Sequence, residues 1–113
     1  MSDIIQTWLE QGAAGNGVLA LAVRRPDRTL AVKSCHPEIP EPALVEVIQG
    51  IAEAVHLLQQ HRMDAPFFCW TFETSQFRCA ARPDGAIAIM LAGKDPAAAA
   101  AVDELLVQFL NAA

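Results

Sequence analysis

The residues with the most chemical potential lie together in "APFFCWTFETSQFRCAARPDG", Ala65 to Gly85. This stretch holds four of the five Phe, one of the two Trp and two of the three Cys residues. Two chemistries come to mind, a thiolate nucleophile paired with a histidine and a Cys/His metal site. Geometry weighs against both. If Thr74-Ser75 form a hairpin loop, Glu73 faces Gln76, Thr71 faces Arg78 and Trp70 faces Cys79. One side then collects Phe68, Trp70, Phe72, Phe77, Cys79 and Ala81, and the other collects Phe67, Cys69, Thr71, Glu73, Gln76, Arg78 and Ala80. A slip of one residue would mix polar and apolar groups on both sides. Cys69 and Cys79 therefore point to opposite faces, where they can neither share a metal nor form a disulfide. Cys35 stands beside His36 in an extended segment, where the imidazole does not reach its neighbour's sulfur. His56 and His61 are five apart, roughly 140° around a helix, unlike the i,i+4 metal spacing. Buried, inert thiols account for Cys69 and Cys79 better than a small cysteine enzyme does. No catalytic, cofactor-binding or metal-ligating residue is expected.

Other polar features read as structural. "GAAGNG" follows a helix and precedes a strand, the reverse of a phosphate cradle, and no Lys-Ser/Thr follows it. Glu46 and Glu53, two turns apart, read as a solvated helix face, and Asp103-Glu104 lie opposite an apolar stripe. Arg78 and Arg82 alternate onto one sheet face near strand ends, in solvent-directed or helix-capping roles. The Phe68/Trp70/Phe72 stripe reads as core.

The elements that position these groups follow from patterning. Ser2 can cap a short helix with Ile4, Ile5, Trp8 and Leu9 at helical spacing, ended by Gly12. "VLALAVRR" and "TLAVKSC" read as strands joined by a type I turn at Pro26-Asp27, the first apolar enough to be covered on both faces. After the proline-rich "HPEIPEP", a long helix runs from Pro42 to Met63. Three strands follow, "FFCWTFE", "QFRCAAR" and "AIAIMLA", the last two joined by the turn "RPDG". Asp95-Pro96 starts a final helix with Val102, Leu105, Leu106, Phe109 and Leu110 on one face. Residues 1–113 thus read as one domain.

Composition narrows the partners. The net charge is −5, with eight Lys and Arg residues, which argues against nucleic acid and anionic membrane surfaces. No secretory signal is expected at the N-terminus, and no apolar run approaches the length of a bilayer span. Three cysteines without framework spacing fit a reducing compartment, the cytoplasm. A hydrophobic content of 53% with only 19% charged residues is a surplus for so small a domain. Some apolar face must be covered by another chain.

The long helix carries that surplus. Leu44, Ile48, Ile51, Val55 and Leu58 form one stripe, and Val47, Gly50, Ala54 and Leu57 form a second, rotated by roughly 80–100°. Val45 and Ala52 widen the arc on the other flank, and Glu46, Gln49, Glu53, His56 and Gln60 form the polar face. The apolar arc is about twice the width that packing on one sheet requires. Strand 67–73 has no Lys and no Pro, so at a sheet edge it would invite pairing. The expected dimer interface is Val47, Gly50, Ala54, Leu57, Phe67, Cys69 and Thr71.

In element order, in the "VLALAVRRPDRTLAVKS" hairpin before a long helix, and in "GAIAIMLAGKDPAAAAAVDELL" at the end, the chain resembles the roadblock (dynein light chain) family from Ile4 to Leu110. The resemblance implies a three-layer α/β/α sandwich, of α+β type, in the order α-β-β-α-β-β-β-α around a five-stranded antiparallel sheet. It also implies homodimers formed through the central helix and third strand. Bacterial relatives are adaptors or regulators of small Ras-like GTPases in signalling, without a catalytic signature. The implied function is a non-catalytic regulatory scaffold. The alternative is a small-molecule-sensing domain in which Ala88 and Ala92 leave room for a ligand.

Overall fold

The computed structural model describes residues 8, 10, 18–35, 40–62 and 67–111. The N-terminal helix cap, the "GAAGNG" loop, His36 with most of the proline-rich segment, and the Met63–Pro66 junction lie outside the described residues.

Five strands form one antiparallel sheet: β1 Val18–Arg24, β2 Leu30–Ser34, β3 Phe67–Thr71, β4 Ser75–Ala81 and β5 Ile87–Gly93. Their spatial order is β2-β1-β5-β4-β3. Among the described residues two long helices flank it, α1 Glu41–Gln60 between β2 and β3, and α2 Pro96–Asn111 at the end. The strands with the longest apolar runs, β1 and β5, lie side by side and are buried on both faces. That position suits them, because alternation is needed only where one face meets water.

Each face of the sheet carries its own core. Val18, Leu21, Val23, Ala88, Met90 and Ala92 pack with Val102, Leu106 and Phe109 of α2. A register shift between Val18 and Ala20 puts Val18 and Leu21, three apart, on the same side. Trp8 joins this layer: its indole Nε1–H donates to the Leu105 carbonyl at 2.8 Å, and its ring lies 5.3 Å from that of Phe109. On the other face Ala20, Ala22, Phe77, Cys79, Ile87 and Ile89 pack against Leu44, Ile48, Ala52 and Val55 of α1. The result is three layers, α/β/α.

The β1–β2 and β4–β5 turns, Arg25-Pro26-Asp27-Arg28 and Arg82-Pro83-Asp84-Gly85, are built alike. Arg28 N–H donates to Arg25 O at 2.9 Å, and Gly85 N–H donates to Arg82 O at 3.1 Å. Asp27 and Asp84 each accept from the amide two residues on, in Thr29 and Ala86, both at 3.0 Å. Helix α1 begins with Pro42 in its first turn, as expected, but ends at Gln60 rather than Met63. His61 N–H closes on Leu57 O, and Arg62 (φ 60°) takes the left-handed conformation that stops the helix.

Candidate self-association surface

The hairpin carrying the two cysteines closes one residue earlier than the sequence suggests. Phe72 N–H donates to Ser75 O at 2.8 Å, so Glu73-Thr74 is the loop. Phe68 pairs with Cys79, Trp70 with Phe77 and Thr71 with Gln76, two places from the expected register. A two-place shift leaves every side chain on its expected face, so Cys69 and Cys79 do lie on opposite faces. With Phe72–Ser75 as a hydrogen-bonded pair, antiparallel alternation turns the backbone groups of Trp70 and Phe68 toward β4. The N–H and C=O groups of Phe67, Cys69 and Thr71 point the other way, out of the sheet. Strand β3 is an edge strand, and its outer backbone row pairs with no described strand.

Helix α1 buries one stripe and leaves the second uncovered. Leu44, Ile48, Ala52 and Val55 are buried, while Ile51 and Leu58 are only half-buried. The buried centre is thus rotated toward Ala52, away from the second stripe. In that second stripe Val47 is 50% and Leu57 52% exposed, Gly50 is exposed and Ala54 is half-buried. The polar flank identifies the direction. Glu53 reaches Arg24 on β1 at 3.0 Å, and Gln49, Ala52 and Glu53 border Arg28 and Leu30 at the start of β2. The Val47–Leu57 stripe, on the opposite flank, therefore faces the β4–β3 half of the sheet. The Glu53 pairing also corrects the reading of that residue as merely solvated.

On that half of the sheet β3 presents Phe68, Trp70 and Phe72 toward the helix side. Phe68 and Trp70 stack at 6.3 Å and are half-buried, while Phe72, edge-on to Phe77 at 5.8 Å, is 49% exposed. They are not closed core, which corrects the sequence reading. Phe67, Cys69 and Thr71 occupy the other face, so the seven candidate interface residues divide between the two faces and meet only around the β3 edge. Phe68, Trp70 and Phe72 are the apolar neighbours that sequence reasoning left out. Their signal was the clean alternation of the strand, which looks the same for core and for an unpartnered sheet face.

Behind Cys69 lies a polar network. Arg78 donates to both carboxylate oxygens of Asp103 at 2.7 Å and to Gln76 Oε1 at 3.1 Å, and the Cys69 thiol donates to the same Oε1 at 3.6 Å. The Asp103 hydrogen bonds hold the Arg78 pKa above its ordinary value. Arg78 is therefore neither solvent-directed nor a helix cap, and Asp103 is no solvated bystander. Arg82 does act at a helix end: it donates to the Phe109 carbonyl at 3.5 Å, lies 5.6 Å over that ring, and pairs with Asp84 at 3.0 Å.

The three thiols differ: Cys69 is exposed, which corrects its reading as a buried thiol, whereas Cys79 is buried and Cys35 half-buried. Burial pushes the Cys79 pKa up to about 12, and burial also raises that of Cys35. Among the described residues no group of three or more His, Cys, Asp or Glu side chains could hold a metal ion. Ala88 and Ala92, the proposed room for a ligand, are fully buried in the core shared with α2. No described helix is long and apolar enough to cross a membrane.

Neither a protein-family model nor a curated protein matches the sequence. Among solved structures the chain is similar to Myxococcus xanthus MglB, with a TM-score of 0.59 over 90% of this chain and 85% of that one, at 8% identity. The likeness is one of fold: the five-stranded antiparallel sheet with its flanking helices has the roadblock-type architecture.

Proposed function

We propose that the chain is a non-catalytic, homodimeric regulatory scaffold, a single roadblock-like domain over residues 1–113 that acts in the cytoplasm on a small Ras-like GTPase. The observation that carries the reading is an apolar surface left exposed or half-buried on α1 and on the edge strand β3. It runs from the Val47, Gly50, Ala54 and Leu57 stripe, across Phe68, Trp70 and Phe72, to the outward backbone row of Phe67, Cys69 and Thr71. A second copy suits it. Two β3 strands paired antiparallel about a two-fold axis at Cys69 place Phe67 opposite Thr71 of the partner subunit, satisfying the edge groups of both. The same axis brings the two α1 stripes together over the joined sheet, where Gly50 and Ala54 permit a close helix approach.

The GTPase reading rests on the roadblock-type fold. A scaffold of this kind regulates by binding one conformation of its partner more tightly than the other. Light scattering on a size-exclusion column tests the first step: the expected mass is twice the 12.2 kDa of one chain. A strict monomer would remove the dimer. For the second step, a small GTPase encoded beside this chain is expected to co-purify with it or to change its nucleotide turnover on mixing. A dimer that does neither leaves the scaffold without this partner class.

A further inference from the structure

We propose that the cleft between α1 and the β1–β2 turn is a binding site for a phosphate group, with Arg24 and Arg28 as its ligands. Two of the eight Lys and Arg residues of this acidic protein, Arg24 and Arg28, line it. Asp27 lies in the same turn. Asp27 is occupied: its Oδ1 accepts from the Thr29 hydroxyl at 2.6 Å and from the Thr29 amide.

The twin turns show why an arginine stands at position 28. They share their hydrogen-bond pattern, and both place their fourth residue in the left-handed region, Gly85 at φ 98° and Arg28 at φ 73°. Glycine adopts that conformation freely, whereas an arginine is held in it against its own Cβ. The backbone of the first turn is served as well by the residue used in the second. What Arg28 adds is its side chain, and that side chain lines the cleft.

The cleft holds about 340 Å³ and is lined by Arg24, Arg28, Leu30, Gln49, Ala52 and Glu53. The Arg24 side chain is 11% exposed and pairs with Glu53 at 3.0 Å, whose own side chain is 58% exposed. Two guanidinium forks and one amide around a small cleft suit a tetrahedral oxyanion. A phosphate has enough oxygens to engage both forks, whereas a carboxylate's two are taken up by one. Glu53 then acts as the competitor the ligand displaces. The phosphate is either free or carried on a phosphoserine side chain.

Amide and side-chain NMR of the full chain, titrated with inorganic phosphate and separately with a phosphoserine peptide against sodium chloride at matched ionic strength, tests the site. Expected are shifts at Arg24, Arg28 and Gln49 that chloride does not reproduce, with the tighter-binding probe identifying the source of the phosphate. Arg28→Gly is expected to lower affinity by about tenfold or more while the melting temperature stays level or rises. Glu53→Gln is expected to raise affinity severalfold. The proposal is overturned if neither probe moves those signals, if Arg28→Gly binds like the parent chain, or if Arg28→Gly melts lower.

Discussion

The two helices lie on opposite faces of one sheet and bury matching stripes, yet they end in different situations. Helix α1 buries Leu44, Ile48, Ala52 and Val55, and α2 buries Ala98, Val102, Leu106 and Phe109. A sheet face offers a helix room for about one such stripe. What each helix carries beyond it needs another partner. For α2 that partner includes Trp8, which covers Phe109 and bonds to the Leu105 carbonyl, leaving Val107 as the exposed large apolar side chain. For α1 the second stripe meets no described element, and Val47 and Leu57 remain about half exposed. Two helices of similar apolar content thus differ: the extra apolar surface of α2 meets Trp8, whereas Val47 and Leu57 of α1 stay about half exposed.

Truncation should expose this difference most strongly. Leu106→Ala on α2 is expected to cost about 2–5 kcal/mol in chemical denaturation, because it leaves a cavity under a fully buried side chain. Leu57→Ala on α1 should leave the stability of the isolated subunit within about 0.5 kcal/mol. Comparable losses at the two sites would erase the distinction.

Gly50→Glu should weaken the proposed dimer by about thirtyfold or more, the scale of an interface hot spot, measured by sedimentation equilibrium. The subunit itself should stay folded, since a Cβ built at Gly50 meets nothing within 4 Å and the helix gains from losing a glycine. A variant that remains fully dimeric would separate the α1 stripe from self-association.

Acid–base behaviour sharpens the contrast between the faces. Cys79 lies in the core under α1, and its pKa is raised from 9.0 to about 12 by burial. The folded protein therefore keeps a proton that the unfolded chain releases. The associated stability is complete below pH 9.0 and is lost as pH climbs toward about 12, with a slope approaching about 1.4 kcal/mol per pH unit. Denaturant melts of Cys79→Ala across that range should show a flatter slope than the parent chain, and an unchanged slope would assign it to other groups. Asp103→Ala should cost about 1 kcal/mol, because the bidentate pair with Arg78 is well aligned but partly open to water. A neutral result in thermal melts would make that network dispensable for stability.

Much of this arrangement is legible in the residues. The alternation of "FFCWTFE" and "QFRCAAR" assigns each side chain to a face, and that assignment tolerates a register two places off because the strand period is two. The loop itself is not legible, since neither Thr74-Ser75 nor the observed Glu73-Thr74 contains the Gly or Asn that marks a tight hairpin. The width of the apolar arc on α1 can be read from Pro42 onward, whereas the choice of Ala52 over Ile51 as the more buried neighbour depends on how the helix is rolled over β1 and β2. The Arg78–Asp103 pair, twenty-five positions apart, has no local signature at all.

The sequence alone determines the element order, the two-sided burial of β1, the separation of Cys69 from Cys79, and an apolar surplus on α1. These are consequences of local periodicity, and periodicity is written in consecutive residues. Only the tertiary structure decides that β3 is an edge strand, that the second α1 stripe leans toward it, and that Arg24 and Arg28 share a cleft with Glu53. Those outcomes depend on which strands lie side by side. Strand order is settled by the packing of the whole sheet between its two helical layers, not by any one segment.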